Sequence, residues 1–266
     1  MRDTIRRAHS RGSFYPIFGV VSALLAWQVA IVALGVPGHL LPSPLRVIVK
    51  LVTDMPLLVT DITATANEML SGFVICILVT VPLSILIVWS QVLERAFMPL
   101  LIFSQTVPLI AIVPVLIIWF GVGILPKVII VFLLGFFQLM ILTISGLKSV
   151  EPEMLDLMRS MSASTFDTFR KVRLPASLPY IFDGMKLAAL LSVIGAVVAE
   201  IVAADFGLGH VIVYAISDMN TELLFAALFL LSAMGGILFY FLVYLERIFL
   251  HWHIAMRKEE TLRDVG

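Results

Sequence analysis

Between Lys148 and Asp183 the chain gathers Lys148, Arg159, Arg170, Lys171 and Arg173, nearly a third of its 18 Lys and Arg. Their setting points to docking chemistry rather than bond making. Pro152 after Glu151 suits the first turn of a helix, and Glu151 and Glu153 favour the positive end of its dipole. Met154, Leu157, Met158 and Met161 fall at i, i+3, i+4 and i+7, which predicts one apolar face. Ser162, Ala163, Ser164 and Thr165 offer a helix stop and a new N-cap. A second short helix then carries Phe166, Phe169 and Val172 on one side, and Pro175 and Pro179 are expected to end it. The segment is neither Gly/Ser-rich nor of low complexity, so it does not read as a flexible tether. Two amphipathic helices meeting at a polar turn suit either a lipid-headgroup surface or a protein partner. The defined turn and the Met face favour the partner.

Other reactive side chains are few. Glu200 is the one acid deep in an apolar run, 16 residues beyond Gly184, about 24 Å of helical rise. That places it near the outer face of a membrane, where a gate or a helix-pairing role outweighs solute binding. Glu68 has the same ambiguity. Ser104, Gln105 and Gln138 either face a translocation path or hydrogen-bond helix to helix. His251 and His253 project to opposite sides of a helix, and neither they nor His39 and His210 have a carboxylate at ligand spacing, so no metal centre is expected. Cys76, the single cysteine, sits in an apolar stretch as a small hydrophobe and excludes an internal disulfide. No G-x-x-x-x-G-K-[ST] is present, and no Lys follows a Gly, so nucleotide phosphates are not held by that motif. Paired acids, H-E-x-x-H, or Ser with Lys at membrane depth are also missing, which argues against an intramembrane enzyme.

The elements that position these residues follow from composition. Hydrophobic residues make up 61% of the 266 and charged residues 14%, against about 45–50% and 25% in soluble domains. The mean hydropathy is +1.07. A membrane protein is therefore expected, and helices rather than a barrel, because the apolar runs are continuous. Charge-free runs cover Met69–Leu93 (25 residues), Ala96–Pro126 (31), Val128–Leu147 (20), Leu187–Ala199 (13, resuming after Glu200) and Leu223–Leu245 (23). With an apolar stretch from Phe14 to Val36, they predict six transmembrane helices near 14–36, 63–90, 96–120, 124–147, 184–204 and 222–246. Pro108 and Pro114 should kink the third. The first apolar run is too long for a signal-peptide core and lacks a clear cleavage site, so it reads as a retained helix. The expected organisation is one transmembrane domain over 14–250, with cytoplasmic tails at 1–13 and 251–266. Trp27, Trp89, Trp119 and Trp252 suit aromatic belts.

Net charge is zero, which disfavours nucleic acid as a partner. Sorted by segment the charges are asymmetric. With the N-terminus inside, 15 of the 18 Lys and Arg are cytoplasmic, and only Arg46, Lys50 and Lys127 are outside. The positive-inside rule thus puts both termini in the cytoplasm of a bacterial plasma membrane, with the 148–183 loop on the same side. The outer segments carry Asp54, Asp61, Asp205, Asp218 and Glu222, an acidic mouth that does not favour a small anion.

The segment Asp156-Leu157-Met158-x3-Ser162-x9-Val172-x-Leu174-Pro175 resembles the EAA loop, E-A-A-x3-G-x9-I-x-L-P, of inner-membrane permeases in binding-protein-dependent ABC importers. Leu174 to Lys186 is similar to that family's LPxxLPxIxxGxK/R stretch. Leu41-Pro42-Ser43-Pro44, Val113-Pro114 through Gly123, Gly195 to Glu200, and Gly207-Leu208-Gly209 match further stretches in order, most closely in the nitrate/sulfonate/taurine branch. In this sequence Asp156 stands for Glu, Leu157 and Met158 for the two Ala, and Ser162 for Gly. The larger apolar residues imply a roomier partner groove. Ser162 would cost up to about 1 kcal/mol if its backbone is left-handed.

The resemblance implies an all-α, type I importer permease fold. It implies that Asp156, Leu157, Met158, Ser162, Ala163, Ser164, Phe166, Arg170, Lys171, Leu174 and Pro175 form an ATPase-coupling element; Ser104, Gln105, Gln138 and Glu200 are path or gate candidates on their polarity within the spans alone. ATP and magnesium would sit on a separate cytoplasmic ATPase dimer, and this chain would bind no cofactor. Further partners would be an external or lipid-anchored solute-binding protein, a second permease copy and membrane lipid. The Gly195–Glu200 stretch looks similar to permeases for pyrimidine precursors or riboflavin; nitrate, taurine and sulfonates stay open. The rival reading is an ion-coupled secondary transporter, which usually shows an internal repeat of broken helices; none is found here.

Overall fold

A computed structural model describes residues 18–19, 21–104, 106–203 and 205–250. Among them all regular structure is helical. The order is α1 (Val21–Leu34), α2 (Pro44–Trp89), α3 (Gln91–Ser104), a 3-10 turn (Leu109–Ile112), α4 (Val113–Phe120), α5 (Ile124–Lys148), α6 (Pro152–Ser160), α7 (Thr165–Thr168), a π turn (Phe169–Arg173), α8 (Leu174–Ala203), α9 (Leu208–Ser217) and α10 (Thr221–Phe249).

Four stretches are long and apolar enough to cross a membrane: Pro44–Trp89, Ile124–Lys148, Thr165–Val202 and Thr221–Phe249. Gln91–Ser104 and Leu109–Phe120 add a fifth if taken as one bent span. Of the expected first span, α1 is the described part.

Three expectations change. The second helix begins at Pro44 rather than 63, and its 46 residues far exceed the about 20 that cross a bilayer. Charges at Lys50, Asp54 and Asp61 mask this, yet Lys50 and Asp54 pair along the helix at 2.9 Å. The third span, expected as one helix over 96–120, is two pieces bent by 87°. The bend falls before Pro108, which sits in extended backbone, whereas Pro114 lies in the first turn of α4, where its missing N–H costs nothing. The fifth span, expected at 184–204, is continuous from the loop.

Contacts divide the chain into two compact units. One holds the described residues through Val59 with Val211–Phe229; the other holds Thr60–His210 with Leu230 onward. In the first, Trp27 stacks on Phe229 at 6.0 Å and meets Phe225 at 5.7 Å. Its indole N–H is buried. Arg46 reaches Glu222 at 3.7 Å, and the Thr221 hydroxyl donates to the Gly38 carbonyl at 3.3 Å.

The second unit is built on α5 against α8. Small residues let the two backbones close. A side chain at Gly195 would lie 2.9 Å from Val131 Cα, and one at Gly146 would lie 2.6 Å from Tyr180 Cβ. Met69, Phe73 and Cys76 from α2 and Leu238 and Leu242 from α10 complete the core. Cys76 is 1% exposed, the buried hydrophobe its setting predicted. Gly135 and Gly235 also have close neighbours, whereas Gly236 faces open space.

Candidate functional site

The loop is stiff by its own hydrogen bonds. α6 ends where the Ser162 amide donates to the Arg159 carbonyl (2.9 Å) and the Ala163 amide to the Met158 carbonyl (3.0 Å). Ser162 has φ +54. This is the Schellman closure, whose left-handed position glycine fits best. One residue separates it from the next cap. Ser164 Oγ accepts from the Asp167 amide at 3.0 Å and donates to the Asp167 carboxylate at 2.6 Å. Asp167 then pairs with Lys171 at 3.0 Å, and Asp156 pairs with Arg159 at 2.8 Å. Arg170 is exposed.

The apolar face of the loop is uncovered. Met154, Leu157, Met161 and Phe166 are 46–68% exposed, while Met158, Leu155 and Ala163 turn partly inward. The expected second helix is a single turn, α7, and the prolines do not end it. The Leu174 amide bonds to the Phe169 carbonyl across the π turn. Widening the turn relieves the clash between a proline ring and the carbonyl four residues back. Pro175 therefore enters the first turn of α8, and Pro179 is carried inside the helix. From Thr165 the loop thus runs into the span as one continuous helix.

At the far end of α8, 26 residues past Leu174 and about 39 Å along the axis, lies a buried polar cluster. Glu200 is 1% exposed and Thr65 0%. Thr65 Oγ1 donates to Glu200 Oε1 at 2.6 Å and accepts from the Leu208 amide at 2.9 Å. The Gly209 amide donates to Glu200 Oε2 at 2.6 Å, and the Gly207 amide donates to Asp61 at 2.8 Å. Three amides at the start of α9 are thus satisfied by side chains from α2 and α8, and the carboxylates lie at the positive end of the helix dipole. Beside them Lys127 Nζ contacts Glu68 Oε1 at 2.6 Å, with side chains only 11% and 5% exposed.

Both carboxylate oxygens of Glu200 are thus engaged, one by Thr65 of α2 and one by the Gly209 amide. Ser104 bonds to its own helix, donating to the Leu101 carbonyl at 2.8 Å. Gln138 is half-buried on α5. Gln105, like His251, Trp252 and His253, lies outside the described residues. Thr65, Asp61 and the burial of Lys127 were missed. Asp61, Thr65 and Glu68 recur at i, i+4 and i+7, a polar helix face that could have revealed them.

Residues 80–249 match the family of inner-membrane components of binding-protein-dependent transport systems. The chain is 33% identical to the formylaminopyrimidine transport permease ThiX of Halalkalibacterium halodurans, covering 89% of this chain and 95% of that one. It is 32% identical to the riboflavin transport permease RibX of Chloroflexus aurantiacus, covering 87% of each. It is 31% identical to the putative aliphatic sulfonates permease SsuC of Bacillus subtilis, over 64% of this chain and 62% of that one. In fold it resembles an inward-facing structure of the MetNI methionine ABC transporter, with TM-score 0.62 at 18% identity, over 73% of this chain and 96% of that one. A helical permease fold of the ABC-transporter type is thereby defined. The chain belongs to the binding-protein-dependent transport family, as an inner-membrane permease component of an ABC importer.

Proposed function

We propose that two copies of this chain form the translocation path for a small organic solute, delivered by an external binding protein and moved at the expense of ATP on a separate ATPase pair. Six spans with both termini cytoplasmic complete the reading. The observation that carries it is the uncovered Met154, Leu157, Met161 and Phe166 face on a turn locked by Ser162 and Ser164. An apolar face of this kind on a stiff element is what a partner groove receives. ATP and magnesium sit on the ATPase. Its closure draws the paired loops together, and α8 carries the motion outward. The work is a shift between two access states, set by how differently the ATPase binds them.

The solute reading is a neutral or aromatic molecule of the pyrimidine-precursor or riboflavin kind. The acidic outer segments and the names of the two relatives matched over most of the chain support it. A sulfonate, taurine or nitrate solute is the second reading, favoured by the likeness to a sulfonate permease. Titrating the neighbouring binding protein with aminopyrimidines, flavins and alkanesulfonates tests this. Micromolar binding of a sulfonate alone would overturn the first reading. Glu200 acts as the outer fastening of a gate, while Ser104, Gln105 and Gln138 are the candidates for the path wall.

A further inference from the structure

A basic cleft lies beside the loop. Two adjoining cavities, of about 330 and 500 Å³, share Val88, Gln91, Leu155 and Arg173 as walls. The first also takes Trp89 and Arg159; the second takes Arg95 and Lys148. Local acids satisfy two of these cations, since Lys148 pairs with Glu94 and Arg159 with Asp156. Among the described residues no ion pair ties Arg95 or Arg173. The cleft meets a different side of α6 from the uncovered Met face: Leu155 and Arg159 lie roughly a third of a turn from Met154, Leu157 and Met161. Of the residues assigned to the ATPase, Ala163 alone also lines the cleft, and Arg95 and Arg173 are not among them.

Its other border is apolar and outward-facing. Trp89 closes α2 with its ring 5.2 Å from Phe169, and it is 52% exposed. Leu86 (58%) and Val92 (77%) flank it. Tryptophan at the end of a long apolar helix, with free arginines just beyond, is the side-chain order of a membrane interface. Arg95, Arg173 and Gln91 line the second cavity; guanidinium forks match phosphate oxygens, and the exposed leucine and valine would lie along acyl chains.

We propose that this cleft binds the phosphate headgroup of an anionic membrane phospholipid, held by Arg173 and Arg95. The bound lipid would brace the junction of the loop with α8. Its placement at the inner leaflet rests on the orientation proposed above; the binding itself does not depend on an ATPase.

The test is native mass spectrometry of the full chain in mild detergent, titrated with short-chain phosphatidylglycerol, phosphatidylcholine or inorganic phosphate. Phosphatidylglycerol should bind at least tenfold tighter than phosphatidylcholine. Arg173→Gln and Arg95→Gln should each weaken it about fivefold, and Arg173→Lys should weaken it less. Melting curves of each variant confirm folding. Displacement of the lipid by millimolar inorganic phosphate would assign the source to free phosphate; no displacement assigns it to the lipid. Equal binding by the arginine variants, or protection of both arginines from a guanidine reagent by the ATPase and not by lipid, would overturn the proposal. Neither result would bear on transport, which is read separately by uptake.

Discussion

The Gly209 amide donates to Glu200 Oε2 at 2.6 Å, and no side chain fits at Gly209 without moving that residue: a Cβ there would stand 2.7 Å from both Glu200 Cβ and the Val197 carbonyl oxygen. Acid and glycine are one unit, which ties the G-A-V-V-A-E stretch to G-L-G in this chain. Gly207 is more constrained still, because its φ of +119 suits only glycine and its missing side chain makes room for the same carboxylate.

Gly209→Ala should therefore lower stability by about 1–3 kcal/mol through overpacking, and Gly207→Ala by more. Glu200→Gln keeps one acceptor oxygen and should lose less than Glu200→Ala, which strands the Thr65 hydroxyl and the Gly209 amide. Tryptophan-fluorescence melting of purified protein ranks the four. Equal melting of all variants and wild type would detach α9 from the carboxylate.

Glu68 and Lys127 form a buried pair, 59 residues apart in sequence. Removing one partner leaves a buried charge and should cost about 3–5 kcal/mol, while replacing both by apolar residues should be near neutral. Glu68→Met and Lys127→Met should each melt well below the double variant. An additive double variant would mean that the two charges are not coupled in the membrane.

Ser162 holds a left-handed backbone that glycine adopts freely. Ser162→Gly should stabilise the loop by up to about 1 kcal/mol, and Ser162→Val should do the opposite. Amide exchange at Ser162 and Ala163 reads this directly: slower exchange in the glycine variant is the expected result.

These residues also show what was legible in the sequence. The loop was readable because its information is local. The stop and the new N-cap expected within Ser162–Thr165 act within one or two turns, and they fall at Ser162 and Ser164. The α2 boundary was not, since charges that break an apolar run can pair along the helix, as Lys50 and Asp54 do. Pro175 misled because the π turn before it removes the cost on which the stop rule depends, and Pro179 is carried within α8 itself. By sequence Lys127 is an outer-loop cation. Its burial depends on Glu68, whose proximity is a tertiary fact.

The uncovered loop face carries the coupling prediction. Leu157→Asp and Met161→Asp place charges where a partner groove is apolar, on residues 52% and 68% exposed in this chain. Folding and membrane insertion should be unchanged, and ATPase-stimulated uptake should fall at least tenfold, the result of losing about 1.4 kcal/mol or more of docking energy. Reversing Arg170 and Lys171 should also uncouple transport. Part of that loss should come from the Lys171–Asp167 pair that steadies α7, so Asp167→Asn alone should give a smaller decrease in the same assay.

The most direct test is solute uptake into proteoliposomes holding this chain, with the neighbouring ATPase and binding protein added singly and together. Uptake should require all three components and ATP, and it should collapse with Leu157→Asp while the binding protein still binds solute. Uptake by the chain alone, driven by a proton or sodium gradient and indifferent to the ATPase, would contradict the importer reading and make it an ion-coupled transporter.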